Sequence, residues 1–241
     1  MNKRAVVLAG GLGSRLRPYT ILLPKPLMPI GEHTILELII RQLISFGYDH
    51  VTLAVNHQYE LIKAYFGDGS RWGIAVDYSL EEKPLGTMGP LKNIRDLPRD
   101  FLVMNGDILT DLNYSHLFKK HVNDNCLFSV SSYERENVID YGVLQVNEKS
   151  RLVGFSEKPT SIFEVSMGIY MVNRDVLRYI PEDTYFGFDN LMSTLLSERR
   201  EINVIKHGGY WLDIGRPDDY EKAIDEYNQN QTQFLAGIID D

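Results

Sequence analysis

A glycine-rich loop near the start of the chain has the residue types needed to bind phosphate. It follows an apolar run and consists of Leu8, Ala9, Gly10, Gly11, Leu12, Gly13 and Ser14. Glycines let backbone N–H groups close around an anion, because no Cβ obstructs the approach. The spacing matches neither a Walker A loop nor the three-glycine dinucleotide fingerprint. The loop alone therefore predicts either a phosphate cradle of another kind or a tight turn.

Basic side chains after the loop favour the phosphate cradle. Arg15, Arg17 and Lys25 follow Gly13 within twelve residues, and prolines flank Lys25 on both sides. Prolines restrict the backbone and would hold this segment rigid beside the loop. Residues 1–31 contain five basic side chains and no acidic one, whereas surface segments normally mix both signs. We expect Arg15 and Lys25 to neutralise the charge of a bound phosphate.

Two aspartates are candidate metal ligands. Asp107 follows the apolar run 101–104, so it lies at the carboxyl end of a predicted strand, where open α/β sheets bind ligands. Asp213 stands among apolar residues, and a buried carboxylate is costly unless it is paired or metal-bound. Magnesium takes oxygen ligands, commonly one or two carboxylates together with substrate phosphates. Asp107 could instead serve a turn beside Gly106, and Asp111 is predicted to serve the turn before the next helix.

Alternating strands and helices must position these residues. Apolar patterns predict strands at 5–8, 51–55, 74–78, 101–104, 127–131, 143–146, 152–155 and 168–172. Amphipathic patterns predict a helix between Thr34 and Gly47, with Thr34 and Glu37 as a capping box, and helices at 60–66, 88–94, 114–122, 189–197 and 218–227. Strands separated by helices predict an α/β fold of three layers, Rossmann-like, with a mostly parallel central sheet.

Composition excludes several classes of protein. Lys and Arg number 25 against 33 Asp and Glu, a net charge of −8, so a nucleic-acid or anionic-membrane binder is not expected. Cys126 is the single cysteine, which excludes an intrachain disulfide and a thiolate metal cluster. No apolar run approaches the ~20 residues of a membrane helix, and the start of the chain lacks a signal-peptide pattern. We expect a cytoplasmic protein.

One stretch of the chain resembles the signature of a known family. The stretch GGLGSRLRPYTILLPKPLMPI, residues 10–30, resembles the signature of the sugar-1-phosphate nucleotidyltransferases, and the resemblance extends to about residue 225. It implies that the loop wraps a triphosphate, that Arg15 and Lys25 are catalytic contacts to phosphate, and that Mg²⁺ binds between Asp107, also catalytic, and Asp213. Ser14 stands where most members have threonine and keeps the hydroxyl.

The resemblance also assigns the remaining site residues. It implies that the nucleotide is bound by Leu8, Ala9, Gly10, Gly11, Gly13, Ser14 and Arg15. It implies also that Pro84, Gly86 and Thr87 contact the base. Sugar-phosphate binding falls to Gly142, Glu157, Lys158, Ser166 and Gly168. Ser166 replaces an asparagine of many relatives, and Thr87 is equally suited to cap a helix.

These assignments divide one domain, 1–241, into a nucleotide-binding half (1–110), a sugar-phosphate half (111–228) and a polar tail (229–241) predicted to fray. The expected reaction joins a nucleoside triphosphate (NTP) to a sugar 1-phosphate, giving a nucleotide sugar for cell-surface polysaccharides or glycoconjugates and releasing pyrophosphate. The Gly10-Gly11 pair and the segment 84–87 are most similar to those of guanylyltransferases, which favours GTP with a mannose- or heptose-type sugar. A homo-oligomer is also an expectation. Thymidylyl-, uridylyl- or cytidylyl-transfer to a glucose-type sugar and a non-catalytic nucleotide-sugar sensor stay open. A glycosyltransferase is disfavoured because the sequence has no DxD at Asp107.

Overall fold

The computed structural model describes residues 3–56 and 58–235. In chain order the strands of this part are β1 (Arg4–Leu8), β2 (Pro29–Ile30), β3 (His33–Thr34), β4 (His50–Val55), β5 (Ala75–Leu80), β6 (Asp100–Asn105), β7 (Ile108–Thr110), β8 (Phe128–Val138), β9 (Val143–Val146), β10 (Leu152–Ser156), β11 (Thr160–Asn173), β12 (Ile202–His207) and β13 (Trp211–Asp213). The α-helices are α1 (Ile35–Ser45), α2 (Tyr59–Phe66), α3 (Tyr114–Asn123), α4 (Phe188–Ser197), α5 (Pro217–Gln229) and α6 (Gln231–Phe234).

A seven-stranded sheet forms the centre, in the order β12-β8-β11-β6-β1-β4-β5. The pairs β1–β4, β1–β6, β4–β5 and β8–β12 are parallel, and only β11 runs antiparallel to its two neighbours. The predicted α/β fold with a mostly parallel sheet is confirmed. β1 lies between β4 and β6, so the glycine-rich loop leaves the sheet beside the end of β6, which precedes Asp107.

Both faces of the sheet are covered because side chains alternate along β1. Ala5 and Val7 pack on the layer that contains α1, while Val6 packs on the opposite layer with Leu191 and Leu195 of α4. All five side chains are fully buried or nearly so. A strand buried on both faces reads as a continuous apolar run, which is how the sequence predicted it.

Helix α1 begins and ends where the sequence predicts. The Thr34 hydroxyl accepts a hydrogen bond from the backbone N–H of Glu37 at 3.1 Å, and Gly47 adopts φ +77 after the last turn. The Glu37 carboxylate bonds instead with Tyr65 and Arg41. Thr34 therefore caps the helix while Glu37 anchors its flank.

Several predicted elements need correction. Residues 88–94 form a 3₁₀-helix at Gly89–Asn93 rather than an α-helix. The strand predicted at 168–172 is the end of the 14-residue β11. Five strands were not predicted: β2, β3, β7, β12 and β13. β7 and β13 pair only with each other in the described residues, and strands of three residues give almost no alternation to read.

The polar tail does not fray over its described part. Helix α5 extends to Gln229 and α6 follows. Phe234 is 1% exposed, it packs edge-on against Tyr210 with ring centroids 5.2 Å apart, and its carbonyl accepts a bond from Gln42 Nε2 at 2.9 Å. The predicted fraying is therefore wrong for 229–235, because one aromatic residue anchors the segment. Residues 236–241 lie outside the described part.

An arm, residues 134–165, extends from the sheet. The outer halves of β8 and β11 pair with each other, and β9 and β10 form a separate two-stranded hairpin. Large apolar side chains are exposed along it, Leu144 by 60%, Phe155 by 59% and Phe163 by 52%. The arm therefore contributes little to the core. Within the described residues no helix has the length and apolarity needed to cross a membrane.

Candidate active site

The glycine-rich loop is fixed by contacts on both sides. Ala9 N–H donates to Ala54 O at 2.8 Å, and Gly106 N–H donates to Leu8 O at 2.9 Å. Gly13 adopts φ +59, and a Cβ there would lie 2.9 Å from Thr20 Cγ2 and 3.3 Å from Lys25 Cβ. The Thr20 hydroxyl donates to the Gly13 carbonyl at 2.7 Å. Glycine is therefore required where the loop folds back against Lys25.

A cavity of about 340 Å³, here called the loop cavity, opens beside this loop. It is lined by Leu8, Ala9, Gly10, Gly11, Lys25, Pro26, Asn56, Glu81, Pro84, Gly86, Thr87, Asn105, Gly106, Asp107 and Tyr185. Nine of these residues were predicted site residues. Glu81 was not predicted, and it lies where a Cβ on Gly10 would be 3.3 Å from its Oε1. The sequence carried no signal for it beyond its place just before Pro84.

The segment 84–87 is held against the start of α4. Gly86 adopts φ +79, and a Cβ there would lie 2.8 Å from Phe186 O. Thr87 Oγ1 accepts a hydrogen bond from Phe188 N–H at 2.8 Å. Thr87 therefore caps the first turn of α4, not a helix of its own, and the segment forms a rigid wall of the loop cavity.

The two predicted metal ligands lie next to each other. β13 pairs with β7 in the register Asp213 to Ile108, and Ile214 N–H donates to Asp107 O at 3.0 Å. Asp107 forms an ion pair with Lys25, which is 8% exposed. Burial and the nearby Asp107 carboxylate raise the pKa of Asp213, while Lys25 and Arg15 oppose that rise. The register of two short strands thus builds a carboxylate pair from residues 106 positions apart in sequence.

The donor set fits a magnesium ion. Asp107 Oδ1 is buried and has no hydrogen-bond partner among the described residues, although a buried polar atom normally has one. The described residues contain no group of three or more His, Cys, Asp or Glu suited to a metal. Magnesium is commonly held by one or two carboxylates with substrate phosphates rather than by a protein cage. Asp107 and Asp213 match that pattern.

A second cavity, of about 450 Å³ and here called the cation cavity, lies on the Asp213 side. It is lined by Arg15, Tyr133, Arg135, Trp211, Leu212, Asp213, Gly215, Arg216, Asp219 and Lys222. A Cβ on Gly215 would lie 3.5 Å from Asp213 Oδ2 and 3.7 Å from Arg15 Nη2. The sequence did not predict Arg135, Arg216 or Lys222. They come from β8, the segment after β13 and α5, so no single motif contains all three.

The predicted sugar-phosphate residues are dispersed. A Cβ on Gly142 would lie 3.2 Å from Glu157 Oε2, and Lys158 forms a 2.8 Å ion pair with Asp140 on the exposed arm. Ser166 Oγ donates to Tyr170 OH at 3.2 Å, and Gly168 lies against Asn105. Among the described residues that line the two cavities, none is Gly142, Glu157, Lys158, Ser166 or Gly168.

The basic start of the chain serves two purposes. Arg4 lies at the opposite end of β1, where it is 7% exposed and bonds with Thr52 and Asp77. Lys3 donates to Phe46 O at 2.8 Å. Only Arg15 and Lys25 of the five cations line a cavity described here. Residues 1–31 therefore contain more basic side chains than the number that line the candidate site.

Asp111 serves structure, but its side-chain bonds go to distant segments rather than to the predicted turn before the next helix, which Asn113 caps. Asp111 Oδ1 accepts bonds from Tyr210 N–H at 2.7 Å and from His207 Nε2 at 2.8 Å, and its Oδ2 accepts one from Gln233 at 2.7 Å. These bonds join β7, β12 and α6.

The sequence pattern of the family described as "Nucleotidyl transferase" matches residues 4–230 of this chain. The chain belongs to this family. The match spans the glycine-rich loop, both cavities and the carboxylate pair, so the family assignment covers the whole candidate site.

Curated relatives in the family have several names. A D-glycero-alpha-D-manno-heptose 1-phosphate guanylyltransferase from Campylobacter jejuni is 33% identical over 90% of this chain and 96% of its own length. A mannose-1-phosphate guanylyltransferase from Mycobacterium tuberculosis is 30% identical over 91% of this chain, and a UTP–glucose-1-phosphate uridylyltransferase from Synechocystis is 31% identical over 92%. The chain spans 63% and 62% of the lengths of these last two proteins.

Solved structures of similar proteins share the fold. HddC from Yersinia pseudotuberculosis is similar with a TM-score of 0.73 and 26% identity, covering 93% of this chain and 99% of its own. A second structure of HddC, described as complexed with GMP-PN, has a TM-score of 0.72 and 25% identity over the same shares. These likenesses confirm the predicted nucleotidyltransferase fold.

Proposed function

We propose that this chain is a sugar-1-phosphate nucleotidyltransferase that converts an NTP and a sugar 1-phosphate into a nucleotide sugar and pyrophosphate. The observation that carries the proposal is the position of the carboxylate pair. Asp107 lines the loop cavity and Asp213 lines the cation cavity, yet Asp107 directly precedes Ile108 of β7, which pairs with Asp213 of β13. Two substrates bound in the two cavities would therefore meet at the carboxylates, where Arg15 and Lys25 also lie.

The loop cavity suits the nucleotide. Gly10 and Gly11 line it with backbone, so N–H groups can approach phosphate oxygens closely. Segment 84–87 forms one wall of this cavity, and Tyr185, 66% exposed, also lines it. A base would then contact backbone, amide side chains and one aromatic ring.

Glu81 favours GTP. The Watson–Crick edge of guanine presents two adjacent donors, N1–H and the N2 amino group, and a carboxylate accepts both at once. Glu81 lines the loop cavity, and its Oε2 already accepts Leu85 N–H at 3.1 Å. Uracil and thymine present a single donor on that edge between two carbonyl oxygens, which a carboxylate would repel. The names of the guanylyltransferase relatives and the GMP-PN complex of HddC support the same choice.

Magnesium is the proposed cofactor, held by Asp107 and Asp213. When bound, Mg²⁺ would neutralise charge on the triphosphate and make the α-phosphorus a better electrophile. Lys25, paired with Asp107 and buried, places a fixed positive charge at the same point without needing to be reorganised. Arg15 supplies a second positive charge on the Asp213 side.

The reaction needs no covalent enzyme intermediate and no general base. An oxygen of the sugar phosphate attacks the α-phosphorus in line, forming the new P–O bond as the bond to the β-phosphate breaks. The attacking phosphate monoester is already anionic near pH 7, and pyrophosphate leaves with the electron pair. The protein's work is therefore orientation and charge neutralisation.

Two substitutions test the proposal. Lys25→Ala and Asp107→Ala should each lower magnesium-dependent pyrophosphate release by roughly 10²–10³, as does loss of one preorganised donor in other enzymes. Lys120→Ala is the matched control, since Lys120 forms an exposed ion pair with Asp124. Circular dichroism would verify the fold of each variant. Near-wild-type turnover in both site variants would contradict the proposal.

A substrate panel resolves the base and the sugar. We propose GTP with a mannose- or heptose-type 1-phosphate, and five NTPs tested against a set of sugar 1-phosphates would show the preferred pair. A nucleotide-sugar sensor would bind the product without releasing pyrophosphate. The homo-oligomer stays a prediction that light scattering of the purified chain would check.

A further inference from the structure

We propose that Thr20 is a positioning residue for the phosphates of the nucleotide, because its hydroxyl fixes the peptide between Gly13 and Ser14 in the glycine-rich loop. This inference rests on the proposed function and gives a role to a residue outside the described lining of both cavities. The first observation is the burial pattern of one short turn. Thr20 is 7% exposed, whereas the apolar side chains of Ile21 and Leu22 beside it are more than half exposed. A buried polar side chain next to exposed apolar ones reverses the usual arrangement and indicates a specific contact.

The contact that Thr20 makes is with the glycine-rich loop. Its hydroxyl donates to the Gly13 carbonyl at 2.7 Å, and Leu16 N–H donates to the same carbonyl at 2.9 Å. A backbone carbonyl can accept two hydrogen bonds, one at each lone pair. The Gly13 carbonyl is therefore held toward Thr20 and Leu16.

The direction of this carbonyl determines the direction of the next N–H. In a planar trans peptide the C=O and the following N–H point in opposite directions, so Ser14 N–H points away from Thr20. In the part of the chain that the structure describes, the backbone N–H groups of residues 10–15 donate to no protein acceptor. Successive N–H groups in a turn form a concavity that binds anions. The Thr20 hydroxyl thus aims one donor of this series toward a ligand.

The same contact holds a catalytic cation beside the loop. A Cβ on Gly13 would lie 2.9 Å from Thr20 Cγ2 and 3.3 Å from Lys25 Cβ, so the loop, Thr20 and Lys25 pack at one point. Along the chain, the peptide after Gly13 lies between Gly11, which lines the loop cavity, and Arg15, which lines the cation cavity. A triphosphate bound by the loop would therefore meet this N–H together with the two cations.

Tyr220 provides a matched control contact on the same segment. Its hydroxyl donates to Pro29 O at 2.6 Å, and Tyr220, which comes from α5, is also 7% exposed. Like the Thr20 bond, this bond joins a buried hydroxyl to a backbone carbonyl, but it holds the far end of the segment 13–30 rather than the loop. Loss of either hydroxyl should lower thermal stability by a similar amount. Only loss of the Thr20 hydroxyl should alter nucleotide binding.

Steady-state kinetics with both substrates varied test the positioning role. Thr20→Val keeps the branched shape and removes the hydroxyl, so the KM for the NTP should rise about fivefold to tenfold. The KM for the sugar 1-phosphate should stay within about twofold. Thr20→Ser retains the hydroxyl and should keep the KM for the NTP within about twofold of wild type, and Tyr220→Phe should leave both constants unchanged. An unchanged KM for the NTP in Thr20→Val, or an equal rise in Thr20→Ser or Tyr220→Phe, would overturn the role.

Direct binding separates this inference from the proposed function. Calorimetric titration with inorganic tripolyphosphate and magnesium should show affinity at least fivefold weaker in Thr20→Val than in wild type or Thr20→Ser. If Thr20→Val does not fold, Thr20→Ala carries the same prediction, because it also removes the hydroxyl. If no substrate pair turns over and tripolyphosphate binding depends on the hydroxyl in this way, the proposed function fails and the positioning role stands. No binding of tripolyphosphate to the wild type, or equal affinity in a folded variant without the hydroxyl, overturns the positioning role.

Discussion

The loop cavity and the cation cavity meet at one carboxylate pair and differ in almost everything else. The loop cavity is lined by backbone, amide groups and two carboxylates, Glu81 and Asp107, and its single cation, Lys25, is already paired with Asp107. In the described part of the chain, the cation cavity is lined by four cations and two carboxylates, Asp213 and Asp219. The loop cavity can discriminate between ligands by shape and hydrogen bonding, whereas the cation cavity attracts anions.

Under the proposed function, this difference would let one site join two anions. Phosphates that lie close together repel strongly in a poorly hydrated site. The nucleotide side can rely on backbone N–H groups and a bound metal, which leaves fixed cations for the second substrate. The proposed function then predicts that binding of the nucleotide and binding of the sugar phosphate can be altered one at a time.

A substitution in the carboxylate pair, where the two cavities meet, should have the largest effect on turnover. Asp213→Asn keeps the size of the side chain but removes a charge from the carboxylate pair, so turnover should fall by roughly 10²–10³. Pyrophosphate release at saturating substrates measures it. Asp219→Asn, in the same cavity, is the control and should lose far less. Equal losses in the two variants would mean that the cavity's charge, rather than the carboxylate pair, governs catalysis.

The loop cavity should respond to a change in its wall. Gly86→Ala places a Cβ 2.8 Å from Phe186 O at φ +79, so segment 84–87 must shift. The KM for GTP should rise about tenfold or more while the KM for the sugar phosphate holds. Gly73→Ala bears the same left-handed backbone, φ +72, with no atom within 4 Å, and it should leave both constants unchanged. A rise in both KM values with Gly86→Ala would argue against two separate cavities.

A substitution of Glu81 should change the preference among bases, by a smaller factor than the preceding substitutions change their constants. Glu81→Gln retains one acceptor, so the KM for GTP should rise roughly tenfold and the preference for GTP over UTP should shrink. Burial raises the pKa of Glu81 above its usual value. The wild-type KM for GTP should therefore rise as pH falls through that raised pKa, because the protonated carboxyl loses an acceptor. The glutamine variant should lack this dependence, and a parallel pH profile in both proteins would exclude the role.

A substitution on the arm should have the smallest effect on the kinetic constants. Lys158→Ala breaks only an exposed ion pair with Asp140, so the KM for the sugar 1-phosphate should change by less than about threefold. The same two-substrate kinetics measure it. A tenfold or larger rise in this KM would show that the arm closes on the substrate and would place the sugar phosphate beneath it.

The sequence predicted the nucleotide side better than the sugar side, for a physical reason. Loop glycines, Lys25 and Asp107 follow strands of the central sheet, whose buried apolar runs are easy to read, and their order along the chain places them together. Arg135, Arg216 and Lys222 converge only through β8, β13 and α5. β13 has three residues, too few for a periodic signal, and long-range pairing places Asp213 beside Asp107.

Pyrophosphate release by the wild-type chain, with magnesium and each substrate added alone and together, tests the central claim most directly. If the two cavities hold two substrates that react at the carboxylate pair, GTP with a suitable sugar 1-phosphate should release pyrophosphate in amounts equal to the nucleotide sugar formed. GTP alone should release none. Release of pyrophosphate from GTP alone, or no release with any pair in the substrate panel, would contradict the account.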